Sequence, residues 1–124
     1  MIVDTDILID YLRGYPDAVA FLEKNVESVT ISAVSVAELY QGVREGVERS
    51  ALRAMTSAVT VLAVNEEIAE IAGLYRRDFG KPMGCGLADC MIAATATFHE
   101  LVLATGNAKH FGMLSDVMVP YVKV

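Results

Sequence analysis

The chain is poor in the residues that build disulfide frameworks or soft-metal sites, with only two cysteines, Cys85 and Cys90, and two histidines, His99 and His110. Two cysteines make no disulfide scaffold, and with those histidines they make no zinc spacing, so both thiols are expected to be buried and reduced. Long apolar runs are missing too. None reaches the roughly 18 residues of a membrane span, although 54% of the residues are hydrophobic and the mean hydropathy is +0.43. That apolar excess is assigned to a core, extended by an oligomer or partner surface. Met1 opens directly into Ile2 and Val3, with no basic region, apolar stretch and cleavage site. No secretory signal is read, and the expected compartment is the cytoplasm. Basic residues are scarce, ten Lys and Arg against sixteen Asp and Glu, for a net charge of −6. This opposes the counterion release that drives nonspecific nucleic-acid binding and is evidence against a generic nucleic-acid coat. It leaves room for a nuclease, whose clustered carboxylates are offset locally by bound cations, and it suits a basic protein partner.

No repeat, low-complexity tract or Pro/Gly/Ser-rich linker divides the sequence, so residues 1–124 read as one domain. Short apolar segments at 1–3, 29–32, 60–63, 101–104 and 117–122 read as strands. Most are continuously apolar, as in a parallel sheet covered on both faces. Helical patterns fill the intervals. Val36, Leu39, Tyr40, Val43 and Val47 fall on one stripe, and Ile68, Ile71, Ala72, Tyr75 and Phe79 on another behind a cap at Asn65. Pro16 suits the first turn of a helix that carries Ala18, Phe21 and Leu22. The long interval 33–59 reads as two helices, the second around 49–58, a candidate clamp or dimer surface. Strands alternating with helices predict an α/β layered domain whose ligands gather beyond the carboxyl ends of the strands.

Four scattered segments carry the chemistry: IVDTDILID, SVAELYQG, LADCMIAATA and TGNAKHF. Each sets an acidic or amide oxygen where a strand ends or a helix begins, which is ligand chemistry for a hard divalent cation. Mg²⁺ or Mn²⁺ held by carboxylates most often serves phosphoryl chemistry, so a metal-dependent nuclease leads. Asp4 ends the first strand, where an ionised carboxylate needs a partner. Asp6 is expected to cap the helix that follows. Glu38 projects nearly opposite its helix's apolar stripe, which fits a solvated surface and a cleft equally well. Asp89 lies near the start of a helix apolar on every side, where a carboxylate serves the helix dipole or a ligand. Asn107 and His110 follow the fourth strand, as turn residues or as contributors to a site. Lys109, beside them, is a candidate phosphate contact.

Taken in order, these four segments resemble the motifs of PIN-domain ribonucleases, in particular the VapC-type toxins of prokaryotic toxin–antitoxin pairs, and the likeness covers essentially the whole chain. The resemblance maps the family's acids onto Asp4, Glu38 and Asp89 as metal ligands. In the last motif Thr105, Asn107, His110 and Phe111 match, while Gly106 stands where Arg is usual and Asp6 where Asn is frequent. Asn107 takes the fourth catalytic position with a neutral oxygen, and Asp116, the nearest downstream acid, does not match it. The resemblance implies a three-layer α/β/α domain with a parallel sheet of about five strands. It further implies RNA cleavage with Mg²⁺ or Mn²⁺, a homodimer and a cognate basic antitoxin. Two rivals stand beside it. A HAD-like phosphatase is prompted by the Asp4-Thr5-Asp6 pattern but lacks an acidic pair near the fourth strand, and a noncatalytic PIN-like binding module is prompted by the absent fourth acid.

Overall fold

The computed structural model describes residues 1–123. Strand β1 (Ile2–Val3) passes into helix α1 (Thr5–Leu12), and α2 (Pro16–Lys24) follows with Pro16 at its first position, where the missing N–H has no helical partner to lose. Next come β2 (Thr30–Ser32), α3 (Ala33–Gln41), α4 (Val47–Ala58) and β3 (Thr60–Leu62). Two long helices, α5 (Glu66–Met83) and α6 (Leu87–Phe98), precede β4 (Leu103–Ala104) and β5 (Val117–Met118). All strand pairs are parallel, in the order β3-β2-β1-β4-β5.

Successive strand residues point to opposite faces, and β1 sorts the layers accordingly. Val3 packs with Ile7, Leu8, Leu22, Leu39 and Leu52 under α1 to α4, whereas Ile2 packs with Ile92, Ala93, Leu103 and Phe111 under α6. Helix α5 covers α6 through Ile68, Ala72, Cys90 and Ala94. The result is the expected three-layer α/β/α arrangement around a five-stranded parallel sheet. Among the described residues no helix is long and apolar enough to cross a membrane.

All five expected strands form, each shorter than its apolar segment. Leu101 does not join β4 because its N–H closes the end of α6 on the Ala96 carbonyl at 2.9 Å, with Glu100 at φ 54°. Strand β5 stops before Pro120, which has no N–H for a ladder. The chain then turns to α1, where the Tyr121 hydroxyl and Lys123 amine each donate to Asp10 at 2.7 Å. The stripe from Val36 to Val47 is not one helix. Gly42 ends α3, Gly46 takes φ 93°, and Val47 opens α4 with 87% of its surface exposed. Asn65 caps α5 as expected, its side-chain oxygen accepting the Ile68 N–H at 2.8 Å. Cys85 and Cys90 are free and buried.

Candidate active site

Asp4 stands where β1 gives way to α1 and is 5% exposed. Its N–H donates to the Ala104 carbonyl at 2.9 Å, which fixes the residue against the carboxyl end of β4. Its two carboxylate oxygens accept the Thr5 N–H at 2.8 Å and the Thr105 hydroxyl at 2.7 Å. Burial foremost, then the charge of Asp6 and more weakly that of Asp89, push the Asp4 carboxyl up to about 7. The hydrogen bonds from Thr105 and Thr5 pull the other way and are outweighed.

Glu38 extends from α3 into solvent, as its helical angle indicates, and its Oε1 accepts the Thr5 hydroxyl at 2.7 Å. Thr5 therefore touches both acids, Asp4 through its backbone N–H and Glu38 through its side chain. Asp89 lies in the first turn of α6, half-buried, with the His110 Nδ1 3.9 Å from one of its oxygens. Asn107 is exposed; its N–H donates to the Thr105 hydroxyl oxygen at 2.9 Å, while its carbonyl accepts the His110 N–H at 2.9 Å. Thr105 thus joins the Asn107 segment to Asp4. Asp116 lies elsewhere: its carbonyl accepts the Leu103 N–H at 3.2 Å, at the amino end of the strands and across the sheet from Asp4.

Asp6 differs from the sequence expectation. The residue in the cap position of α1 is Asp4, and Asp6 accepts the Ile7 N–H at 2.8 Å with one oxygen and the Gly106 N–H at 2.9 Å with the other. Burial is the main reason its carboxyl also stands above the ordinary range. A Cβ on Gly106 would lie 2.7 Å from the Asp6 carboxylate, so the glycine and the aspartate occupy one small space between them. Gly106→Ala is expected to lower stability by about 1 kcal/mol or more, as overpacking does, and adding Asp6→Ala should return most of the loss. Thermal melts of the two single variants and the double variant test this, and independent, additive effects would show that the two residues do not compete.

The carboxylates of Asp4, Glu38 and Asp89 and the amide of Asn107 would offer a metal only oxygen donors, and among the described residues no Lys or Arg pairs with any of the three acids. A buried acid crowded by like charges and lacking a cationic partner is the environment a divalent cation relieves. Among the described residues no three His, Cys, Asp or Glu side chains close on a single ion-sized point. Mg²⁺ and Mn²⁺ do not demand that they do, because a hard octahedral cation keeps several waters and takes one or two carboxylates directly. The donor chemistry fits such an ion. The hydroxyls of Thr5, Ser35 and Thr105, which support the acids, carry no periodic or spacing signal in the sequence. Thr105 is marked by its match to the last motif, whereas Thr5 and Ser35 are marked only by their place beside Asp4 and Glu38 in the quoted segments.

The PIN domain family matches residues 1–112. Ribonuclease VapC19 of Mycobacterium tuberculosis is 41% identical, over 97% of this chain and 98% of its own, and ribonuclease VapC10 of the same organism is 38% identical over 98% and 92%. A toxin–antitoxin complex from Klebsiella pneumoniae contains a chain that superposes with a TM-score of 0.85 at 30% identity, covering 98% of each. FitAcB from Neisseria gonorrhoeae gives 0.77 at 30%, covering 96% of each. A phosphatase reading finds no support in this company. With the match running from Met1 through the Asn107 segment and full-length relatives carrying the VapC name, the chain belongs to the PIN-domain family, in its VapC group.

Proposed function

We propose that the chain is a metal-dependent ribonuclease, the toxin half of a toxin–antitoxin pair, with Asp4, Glu38 and Asp89 holding Mg²⁺ or Mn²⁺. The observation that carries this reading is the buried Asp4 carboxylate, crowded by Asp6 and Asp89 and without a cationic partner among the described residues. The names of the relatives, ribonucleases, support the reaction class. When bound, the cation supplies an acidified water and positive charge for the scissile phosphate. The protein's part is to hold the acids in place. Thr105 and the Thr5 N–H fix both oxygens of Asp4, while Glu38, exposed at the lip, is free to orient an attacking water. Asn107 takes the fourth catalytic position, and Lys109, exposed beside it, contacts a substrate phosphate.

Asp89→Asn removes one charge at nearly constant volume. It should reduce Mn²⁺ affinity and RNA cleavage by roughly a hundredfold or more, at the upper end of or beyond what losing a mere supporting residue costs a metal site. Calorimetric Mn²⁺ titration and a defined-RNA cleavage assay measure both; full activity in the folded variant would remove Asp89 from the site. Wild-type protein that binds Mn²⁺ but cleaves no RNA would revive the noncatalytic binding module.

The antitoxin reading rests on two further observations. Helices α1, α2 and α4 border an apolar groove of about 460 Å³, lined by Leu8, Leu12, Leu22, Ala51, Ala54 and Met55 and edged by Glu23. The net charge of −6 complements a basic partner. We assign the groove to an amphipathic helix of the antitoxin, with an Arg of the same partner reaching the carboxylates. Homodimerisation belongs to the same proposal and is tested by light scattering of the purified chain.

A further inference from the structure

The Thr5 hydroxyl has two oxygen neighbours, Ser35 Oγ at 2.8 Å and Glu38 Oε1 at 2.7 Å, and one proton to give. A carboxylate oxygen only accepts, so that proton goes to Glu38. Ser35 is 0% exposed. Ser35 Oγ stands as an acceptor facing the Thr5 hydroxyl, beside the stronger carboxylate acceptor. The hydroxyl of Thr5, the first residue of α1, thus bridges two positions of α3, the sealed Ser35 and, one turn on, Glu38.

We propose that Thr5 and Ser35 are positioning residues for the metal centre, holding Glu38 in its working rotamer through this pair of hydroxyls. The proposal rests on the nuclease reading above. Glu38 is exposed, and no Lys or Arg among the described residues pairs with it. Without an anchor a glutamate on a solvated face samples its rotamers freely, which costs up to ~2 kcal/mol of entropy to fix when a ligand arrives. A hydroxyl donating to a carboxylate is a charge-assisted bond, short and directional. It fixes one oxygen of Glu38 and leaves the other for a cation or a water. Ser35 in turn holds the Thr5 oxygen at 2.8 Å from a buried position, which keeps the hydroxyl within reach of Glu38. Thr5 also donates its N–H to Asp4, so one residue sets the spacing of two acids that lie 34 positions apart in sequence.

The test uses Mn²⁺ titrated calorimetrically into the full metal-free chain, alongside RNA cleavage. Thr5→Val keeps the shape and the backbone bond to Asp4 but removes the hydroxyl. Mn²⁺ affinity should fall roughly tenfold to a hundredfold, the range for residues that orient a ligand. Thr5→Ser should restore it, and Ser35→Ala should cause a smaller loss of the same kind. In a Glu38→Gln background Thr5→Val should add little, because the group it positions has lost its charge. A structural role would add its full effect there. If Thr5→Val does not fold, Ser35→Ala and the same cycle with Glu38→Gln carry the test. Wild-type affinity in Thr5→Val and in Ser35→Ala, or strictly additive effects with Glu38→Gln, overturns the assignment alone. A wild-type chain that neither binds Mn²⁺ nor cleaves RNA overturns the nuclease reading and the assignment with it.

Discussion

Asp4→Asn is expected to abolish RNA cleavage and, in the metal-free protein at pH 8, to raise the melting temperature by several degrees. Both effects come from the same burial. The Asp4 carboxyl, ordinarily near 3.8, stands at about 7 in the fold, chiefly because it is buried and then because Asp6 is charged beside it. For an acid whose folded value is raised, the protonated form is favoured by the fold. Stability from this group is full below 3.8, declines as pH rises between 3.8 and about 7, and is absent above. Each tenfold step in proton affinity is worth about 1.36 kcal/mol, so the ionised acid costs the metal-free fold on the order of a few kcal/mol. Asn carries no charge to bury and remains a good helix cap. The advantage of the variant should therefore grow from pH 5 to pH 8. Asp6, also raised mainly by burial, loses stability in the same direction as pH rises, so it does not supply a change of the opposite sign. Mn²⁺ should reverse the order at pH 8 by stabilising only the wild type. Paired thermal melts across that pH range decide it; a wild type more stable than Asp4→Asn at pH 8 without metal would show that its carboxylate is not under strain.

Asp4 was legible because two simple rules met on it: the apolar run 1–3 marks a strand, and a carboxylate at its end needs a partner. Ile68, Ala72 and the Asn65 cap were legible for a similar reason, since periodicity and capping are local. The stripe from Val36 to Val47 misled because its spacing continues across Gly42 and Gly46, and the spacing of side chains does not register that the backbone between them bends at φ 93°. Asp6 misled because a cap was the local use for it, whereas its partner, the Gly106 N–H, lies 100 positions on. The hydroxyl chain through Ser35 was beyond reach for the same reason. It spans 30 positions, and nothing about Ser35 as a residue type distinguishes it until α1 and α3 are packed together.

The second large effect is expected at the groove rather than at the acids. Ala51, Ala54 and Ala58 recur along α4, each exposed, each lining the apolar groove, and their small side chains leave the room another helix would fill. Ala54→Glu places a charged side chain in that space. Glu is nearly as good a helix former as Ala, and an exposed position away from the core rarely shifts stability by more than about 0.5 kcal/mol, so the variant should fold and cleave RNA normally. A helix docked in the groove would meet a buried, unpaired carboxylate or be pushed out, and a hundredfold loss of affinity corresponds to about 2.8 kcal/mol, within what such a burial costs. The probe is the product of a small gene adjacent to this one, coexpressed and assayed for binding and for inhibition of cleavage. Binding to wild type should weaken with salt, since an acidic toxin and a basic partner attract through partly exposed charges. With Ala54→Glu the partner should neither copurify nor suppress cleavage, so the variant stays toxic in cells that carry it. An Ala54→Glu protein held and silenced as tightly as wild type would place the antitoxin somewhere other than between α1, α2 and α4.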